Sequence, residues 1–243
     1  MSHRIQQRFL AAMFAMFLSS LAQANSIITF EGFNKGTIID DEYALSHGVT
    51  IRGYNIDRQA DNIAVVFDSN ANQTADPDLE APFYNTDGKN LGVANPGNIL
   101  IIHEHPGECN AVSCGNDPDD EGSRPAGYFD VLFDQEVTLN SLDFFDVEAA
   151  ENGNTWRNEI SFTGSGNYSS MYSPATGGNN TWTRLDFNLV GITSLRIRLG
   201  GSGAIDNLNY SVNVPTPSTI LLLLAGIFWL RMRRTDAPAG VLA

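Results

Sequence analysis

The residues of this chain with the most obvious capacity for chemistry are its carboxylates. Asp68-Ser-Asn-Ala-Asn-Gln-Thr-Ala-Asp76-Pro-Asp78 places three of them, with the amides of Asn70 and Asn72, in one short loop. Oxygen ligands of this kind suit a hard cation such as calcium, which takes six to eight oxygens at about 2.3–2.6 Å. The loop lacks the glycine and the terminal glutamate of an EF-hand, so a site here would be of another kind. Asn116-Asp117-Pro118-Asp119-Asp120-Glu121 is similarly rich. Asp and Asn also cap their own turns. For the 68–78 loop the ion and the cap stand level; for 117–121 the cap is preferred.

Three other groupings invite a chemical reading. His103-Glu104-His105 closes an apolar run, and on a strand its two imidazoles share one face. Pro106 follows at once and no third ligand is in view, so the trio reads as a polar strand end. Asp146-Val147-Glu148 alternates as the acids of a retaining glycosidase do, two carboxylates about 5–5.5 Å apart across the scissile bond. Phe144 occupies the position of the earlier acid, which leaves the pair incomplete. With no Gly-x-Ser-x-Gly, no Cys/His nucleophile pair and no phosphate-cradling loop, the chain reads as non-enzymatic, a glycan hydrolase being the alternative. Trp156, Tyr168, Tyr172 and Trp182 lie in or beside Gly/Ser/Asn-rich stretches. They offer either pyranose-stacking faces or, the commoner fate of a tryptophan in a sandwich, core.

The only cysteines, Cys109 and Cys114, sit in a Gly/Asn/Asp-rich loop. An isolated pair in an oxidising compartment reads as a local disulfide; a two-cysteine metal site is the rival. Acidic residues outnumber basic ones by 28 to 14, a net charge of −14. Arg4, Arg8, Arg231, Arg233 and Arg234 fall in the terminal segments, so the central part is more acidic still. Nucleic acid and anionic lipid surfaces would repel that part, which makes both poor partners, and no nucleic-acid partner is expected.

The elements that must position these residues read as strands. Ser26–Phe30, Val49–Gly53, Ile63–Phe67, Asn98–Glu104, Tyr128–Phe133, Val137–Val147, Asn158–Phe162, Trp182–Leu189, Ser194–Leu199 and Ile205–Val212 are β-branched or aromatic runs bounded by Gly, Asn, Asp and Pro. Ile99-Leu100-Ile101-Ile102 is continuously apolar, as a strand buried on both faces would be. Phe129, Val131 and Phe133 alternate against Tyr128, Asp130, Leu132 and Asp134. No helical periodicity of useful length is present between residues 25 and 212. Many short strands without intervening helices predict an all-β, antiparallel sandwich.

Both termini read as addresses. Residues 1–24 carry Arg4 and Arg8, an apolar core from Phe9 to Leu21, and Ala22-Gln23-Ala24, the pattern of a cleaved signal peptide. At the other end Val214-Pro215-Thr216-Pro217-Ser218 precedes an uncharged apolar block from Ile220 to Leu230 and then Arg231, Arg233 and Arg234. As a helix, 218–230 rises roughly 20 Å, short of a bilayer core of about 30 Å. Proline turn, short apolar helix and arginine cluster together resemble the C-terminal sorting signal of exported bacterial PEP-CTERM proteins; an ordinary C-terminal anchor is the alternative. Thr216 stands where that family usually has Glu. The resemblance implies a transmembrane helix in the inner membrane and an exosortase-type enzyme as partner, with the extreme C-terminus held cytoplasmic by its arginines.

A second resemblance lies in the central part. Ile28-Thr-Phe-Glu31-Gly with Gly48-Val-Thr-Ile51, and Gly203-Ala-Ile-Asp206-Asn-Leu208, are similar to the first and last strands of jelly-roll carbohydrate-binding modules. That resemblance implies a jelly-roll-like sandwich in which Glu31 and Asp206 meet and hold a structural calcium. The organisation expected is a signal peptide (1–24), a β-sandwich domain (25–212), a linker with the sorting motif (213–217), a transmembrane sorting helix with its basic end (218–234) and a cytoplasmic tail (235–243). The function expected is that of an exported surface or matrix protein that binds polysaccharide or adheres. A structural envelope component without a discrete ligand is the further alternative. The mature chain is expected to begin at Asn25; terminal sequencing of surface-exposed protein that finds Met1 would overturn the signal peptide.

Overall fold

The computed structural model describes residues 22–86, 88–89, 91–115, 117–120, 125–148, 156–166, 168, 172–174, 176–214, 226–228 and 231. The chain forms two compact units, Asn25–Val212 and a second comprising 1–24 with 213–243. In the second unit Gly226, Ile227, Phe228 and Arg231 are helical and exposed. No helix among the described residues is long and apolar enough to cross a membrane. The signal segment up to Leu21, Pro215, Thr216, Pro217 and Ser218, the rest of the expected sorting helix, and Arg233 and Arg234 lie outside the described residues.

The first unit is all-β in two layers. Its strands are β1 (Ala22–Ile28), β2 (Val49–Asn55), β3 (Ala60–Asp61), β4 (Ala64–Asp68), β5 (Phe83–Asn85), β6 (Val93–Ala94), β7 (Asn98–Ile102), β8 (Gly127–Phe145), β9 (Glu159–Gly164), β10 (Thr181–Leu199) and β11 (Ala204–Val214). Among its described residues, helix is confined to Ala44–His47 and two 3-10 turns, Pro77–Leu79 and Pro106–Glu108. One layer runs β3-β2-β8-β10-β9 and the other β4-β7-β11-β8-β10-β5-β6, with β1 beside β11. The layers share β8 and β10. Residues Gly127–Phe133 of β8 pair with β2, and Val137–Phe145 pair with β11. Between these halves Asp134, Gln135 and Glu136 are exposed where the strand turns the corner.

In β10 the corner is a series of register shifts from Asp186 to Ser194. Asn188 (φ 53°) and Gly191 (φ 80°) adopt left-handed backbone there, a conformation glycine and asparagine tolerate best. Such bulges add twist and bend a strand. The sequence reading divides β8 and β10 into two strands each. The structure instead carries each strand through its corner as one element, the register shifting from Leu132 opposite Ser194 to Val137 opposite Ile192, because a bulge bends a strand without ending it.

Two further departures follow from contacts remote in sequence. β3, β5 and β6 are absent from the sequence reading, and β5 pairs with β10 in parallel, Thr181 opposite Tyr84, whereas the other described registers are antiparallel. Strand β7 ends at Ile102, so His103 and Glu104 lie beyond it.

The core between the layers includes Val49, Ile51, Phe129, Val131, Leu139, Phe144, Ile160, Ile197 and Ile205, each at most 2% exposed. A second cluster lies on the far face of the seven-strand layer: Val65, Phe67, Ile99, Ile101, Phe145, Trp182 and Ala204, covered by Ile38, Leu79 and the disulfide loop. Strand β7 is therefore buried at every position, as its continuous apolar run predicts. Gly53 in β2 faces the backbone of Ala64, whose nitrogen would lie 2.5 Å from an added Cβ; only glycine admits that approach. Phe129→Ala empties a fully buried site and is expected to cost about 3–5 kcal/mol, measured by denaturant unfolding against an exposed control such as Leu132→Ala.

Candidate functional sites on an open sheet face and among buried carboxylates

The outer face of the five-strand layer carries a broad array of polar side chains. Because β-strand side chains alternate, the partners of the core residues point outward in three cross-strand rows. Tyr54, Tyr128, Arg198 and Glu159 form the first; Arg52, Asp130, Arg196 and Ser161 the second; Thr50, Leu132, Ser194 and Thr163 the third. The rings of Tyr54 and Tyr128 stack at 5.3 Å. The Arg196 guanidinium lies 4.0 Å from the Tyr128 centroid and donates two hydrogen bonds of 2.6 Å to Asp130. Arg198 lies 4.1 Å from the centroid of Trp156.

Beside this array is a depression of about 320 Å³, lined by Asp130, Leu132, Ser161, Thr163, Ser194 and Arg196. Leu132, 46% exposed, offers an apolar patch among hydroxyls. A second depression, about 310 Å³, lies at the β2–β3 end and is lined by Asp40, Asp41, Thr50, Arg52, Asp61 and Asn62. The outward alternation of Tyr128, Asp130 and Leu132 was legible in sequence. Their neighbours Arg196, Ser161 and Thr163 come from strands far away in the chain, so the array itself was not.

The aromatics singled out in sequence do not assemble into a platform. Trp182 is a correction: it is 6% exposed, its ring lies parallel to Phe145, and its Nε1–H donates to the Gly92 carbonyl at 3.2 Å. It belongs to the second core. Tyr172 packs edge-on against Phe162 and Phe187. Tyr168 packs against Phe162 and donates its hydroxyl to the Val190 carbonyl. Trp156, partly exposed like Tyr168 and Tyr172, stacks against Arg198 beside the sheet face.

The acidic residues are distributed by the loops that cover the second core. Asp68 accepts the amide of Asn70 at 3.0 Å and caps its own turn. Asp78 accepts from the Asn179 side chain. Asp76 instead turns inward and is fully buried, against Asp120, which is 1% exposed. Ser202 Oγ donates to Asp120 at 2.8 Å and approaches Asp146 at 3.4 Å. Three acids from three distant segments thus meet. Asp117, by contrast, is exposed near Lys35.

On the same outer face of the seven-strand layer, Arg184, Asp143 and Asp206 form a cross-strand row. Arg184 clamps Asp143 with two 2.6 Å hydrogen bonds. Asp206, opposite Asp143, is 1% exposed and its Oδ1 has no hydrogen-bond partner. Glu31, whose Oε1 accepts the Asn98 amide at 2.8 Å, is close enough to raise the Asp206 pKa.

Burial, followed by the charges of Asp143 and Glu31, pushes Asp206 up to about 8. Burial first, then Asp76, Asp78 and Glu148, pushes Asp146 up to about 8. Asp76 is raised to about 10 by burial and then by Asp120, and burial raises Asp120 to about 7.

The remaining candidates are settled locally. Asp146 follows the end of β8 with φ 50° and is 1% exposed, so it does not alternate with Glu148 along a strand and faces no cleft. His103 is buried, with Nδ1 against the backbone of Asp119, and burial lowers its pKa. His105 is exposed beside Glu104 at 3.5 Å. Cys109 and Cys114 are bonded to each other, which removes both thiolates as metal ligands.

No family model matches the sequence, and no curated protein does. Among solved structures, the chain is weakly similar to the F5/8 type C domain of a Bacteroides fragilis protein and to a family 29 carbohydrate-binding module from Piromyces equi. The first gives a TM-score of 0.23 at 13% identity, covering 36% of this chain and 66% of that one, just under two thirds of its length. The second gives 0.32 at 7% identity, covering 79% and 91%. At these scores the function must be argued from the chain's own residues.

The raised acids make stability pH-dependent in a definite sense. Between the unfolded value near 3.8 and the folded values of about 7 to 10, the folded state holds more protons than the unfolded one. Their contribution is therefore complete below pH 4 and is lost as pH rises through the folded values. In chelator, the melting temperature followed by circular dichroism is expected to fall between pH 5 and pH 8; a rise across that span would refute the burial of these acids.

Proposed function

We propose that this chain is an exported, non-catalytic surface protein whose sandwich binds neutral polysaccharide on the outer face of its five-strand layer. The observation that carries this reading is the depression at Leu132. Its size falls at the lower end of small-ligand sites, and it joins an exposed apolar patch to Ser161, Thr163, Ser194 and the Asp130–Arg196 pair. A pyranose presents an apolar C–H face and a rim of hydroxyls. Leu132 meets the first, and the serine, threonine and paired charged side chains meet the second. Held flat by two hydrogen bonds to Asp130, the Arg196 guanidinium keeps its remaining N–H groups in a fixed plane. The Tyr54–Tyr128 stack extends the array along the sheet for further sugar units.

Delivery rests on the termini: an N-terminal signal peptide, then a C-terminal signal of the PEP-CTERM kind. That tail engages the inner membrane and an exosortase-type enzyme. We place a structural calcium at Glu31 and Asp206 in a jelly-roll-like arrangement. An oxygen-only set with one buried, unpartnered carboxylate oxygen suits such an ion.

Affinity electrophoresis through gels containing soluble β-glucan, mannan or xylan tests the sugar site. Retardation in at least one is expected, with a tenfold or greater loss in Leu132→Glu or Arg196→Ala at unchanged melting temperature. A wild-type chain retarded by no member of such a panel, or variants retarded equally, would leave the structural-component reading in its place.

A further inference from the structure

Two depressions mark the outer face of the five-strand layer, and the strand register sets them side by side. The first, of about 320 Å³, takes Asp130 and Leu132 from β8. The second, of about 310 Å³, takes Thr50 and Arg52 from β2. Thr50 stands directly opposite Leu132, and Arg52 opposite Asp130. Side chains so paired on one face have Cβ atoms about 4.5–5.5 Å apart, so the depressions adjoin along the β2–β8 boundary. Between them they cross the layer from β9 to β3. With neighbouring strands about 4.8 Å apart, that track is roughly 19 Å long, more than one sugar ring occupies.

The two ends of the track offer different chemistry. The first depression joins the exposed side chain of Leu132 to hydroxyls. The second is polar throughout, lined by Asp40, Asp41, Thr50, Arg52, Asp61 and Asn62. Its central carboxylate is held in place before any ligand arrives. Asp40 accepts the side-chain amide of Asn62 at 2.9 Å and the backbone amide of Asp41 at 2.6 Å. Against the burial that would raise its pKa, these bonds and the nearby Arg52 keep the Asp40 carboxyl below its ordinary value. It is therefore an ionised acceptor at neutral pH, and a sugar hydroxyl donating to it makes a charge-assisted bond. Three aspartates against one arginine repel a uronate, which favours a neutral chain over an acidic one. Beside the track, Tyr128 lies between Tyr54 of β2 and Arg196 of β10, its ring stacked on the first, with the guanidinium of the second 4.0 Å from its centroid. That row is a ridge running across the strands, and it sets the direction of a chain laid along its foot.

From this juxtaposition we infer a second sugar subsite at Asp40, Asp41, Thr50, Arg52 and Asn62, continuous with the one at Leu132. The ligand is then a run of linked units of a neutral polysaccharide, laid across the strands. This subsite rests on the reading of the Leu132 depression as a sugar site, and adds the length and direction of what that site binds. Leu132 takes the apolar face of one ring, and the second subsite reads the hydroxyls of units further along. Once the first unit is seated, the next is tethered beside its own subsite, so the two contributions multiply.

The test uses the full chain in detergent near neutral pH. Its probes are linear oligosaccharides, from disaccharide to octasaccharide, cut from whichever of β-glucan, mannan and xylan retards the chain in a gel. NMR titration is expected to show affinity rising at least tenfold from disaccharide to hexasaccharide. Arg52→Ala and Asp41→Ala each remove an exposed side chain and should keep the wild-type melting temperature. Both should lose at least fivefold on the hexasaccharide and less than twofold on the disaccharide, whereas Leu132→Glu should lose binding at every length. Affinity that does not change with length would overturn the second subsite and leave the Leu132 site standing. So would Arg52→Ala and Asp41→Ala variants that bind the hexasaccharide as wild type does, or that weaken both lengths alike. If no polymer retards the chain, or Leu132→Glu binds like wild type, the Leu132 site fails and the second subsite falls with it.

Discussion

The antiparallel pairing of β8 with β10 is the constraint on which the rest of the sandwich depends. Each strand is 19 residues long. At about 3.3 Å per residue, such a strand laid straight would span roughly 60 Å, against roughly 40 Å for a compact domain of this size. The pair must therefore bend, and bending it folds one ladder into two facing layers. Phe129 and Val131 then face a core that also receives Leu139 and Phe144 from the same strand. Every other strand of the sandwich takes its place directly or indirectly from the half of this pair that it borders.

The bend leaves two outer faces, which the chain treats in opposite ways. On the seven-strand layer the outward residues of β4, β7 and the start of β11 are apolar. Burying them requires the 33–39, 69–82 and 105–114 segments to fold down as a cover, one of them closed by Cys109–Cys114. The 69–82 segment is rich in acids and the 117–120 loop lies against it, so the same collapse that buries Leu79 and Phe67 carries Asp76 and Asp120 out of water. Hydrophobic burial and carboxylate desolvation are here two results of one event. Among the described residues the five-strand layer has no such cover. Apart from the exposed Leu132, its outward residues are tyrosine, arginine, aspartate, glutamate, serine and threonine, which are stable in water.

Side-chain chemistry at the two faces differs accordingly. On the open face the Asp130–Arg196 pair is solvated, and exposed pairs of this kind contribute about 0.2–1 kcal/mol; its value lies in fixing a planar donor. On the covered face Asp143 is nearly inaccessible and relies on the two hydrogen bonds from Arg184. Asp206, directly opposite on β11, has no such partner at Oδ1. Like carboxylates facing each other across a ladder repel. The row thus holds one neutralised acid and one awaiting either a proton or a cation.

Much of this was determined by local sequence alone. Alternation in Tyr128–Phe133 assigns inward and outward residues, the unbroken run Ile99–Ile102 announces a strand buried on both faces, and an isolated cysteine pair in a tight loop points to its own disulfide. These readings hold because period, hydropathy and short-range closure are properties of neighbouring residues. Other features were decided only by tertiary structure. Trp182 is core because Phe145, 37 positions away in the chain, lies parallel to its ring. Asp146 is turned away from the alternation with Glu148 that its sequence suggests, its carboxylate lying by Ser202 and Asn180. The 68–78 loop divides its acids between a turn cap and the interior because Asp120, from a separate loop, waits where Asp76 arrives. Which carboxylates meet, and which aromatic rings stay in water, depends on where distant strands bring the loops between them, and no local pattern carries that information.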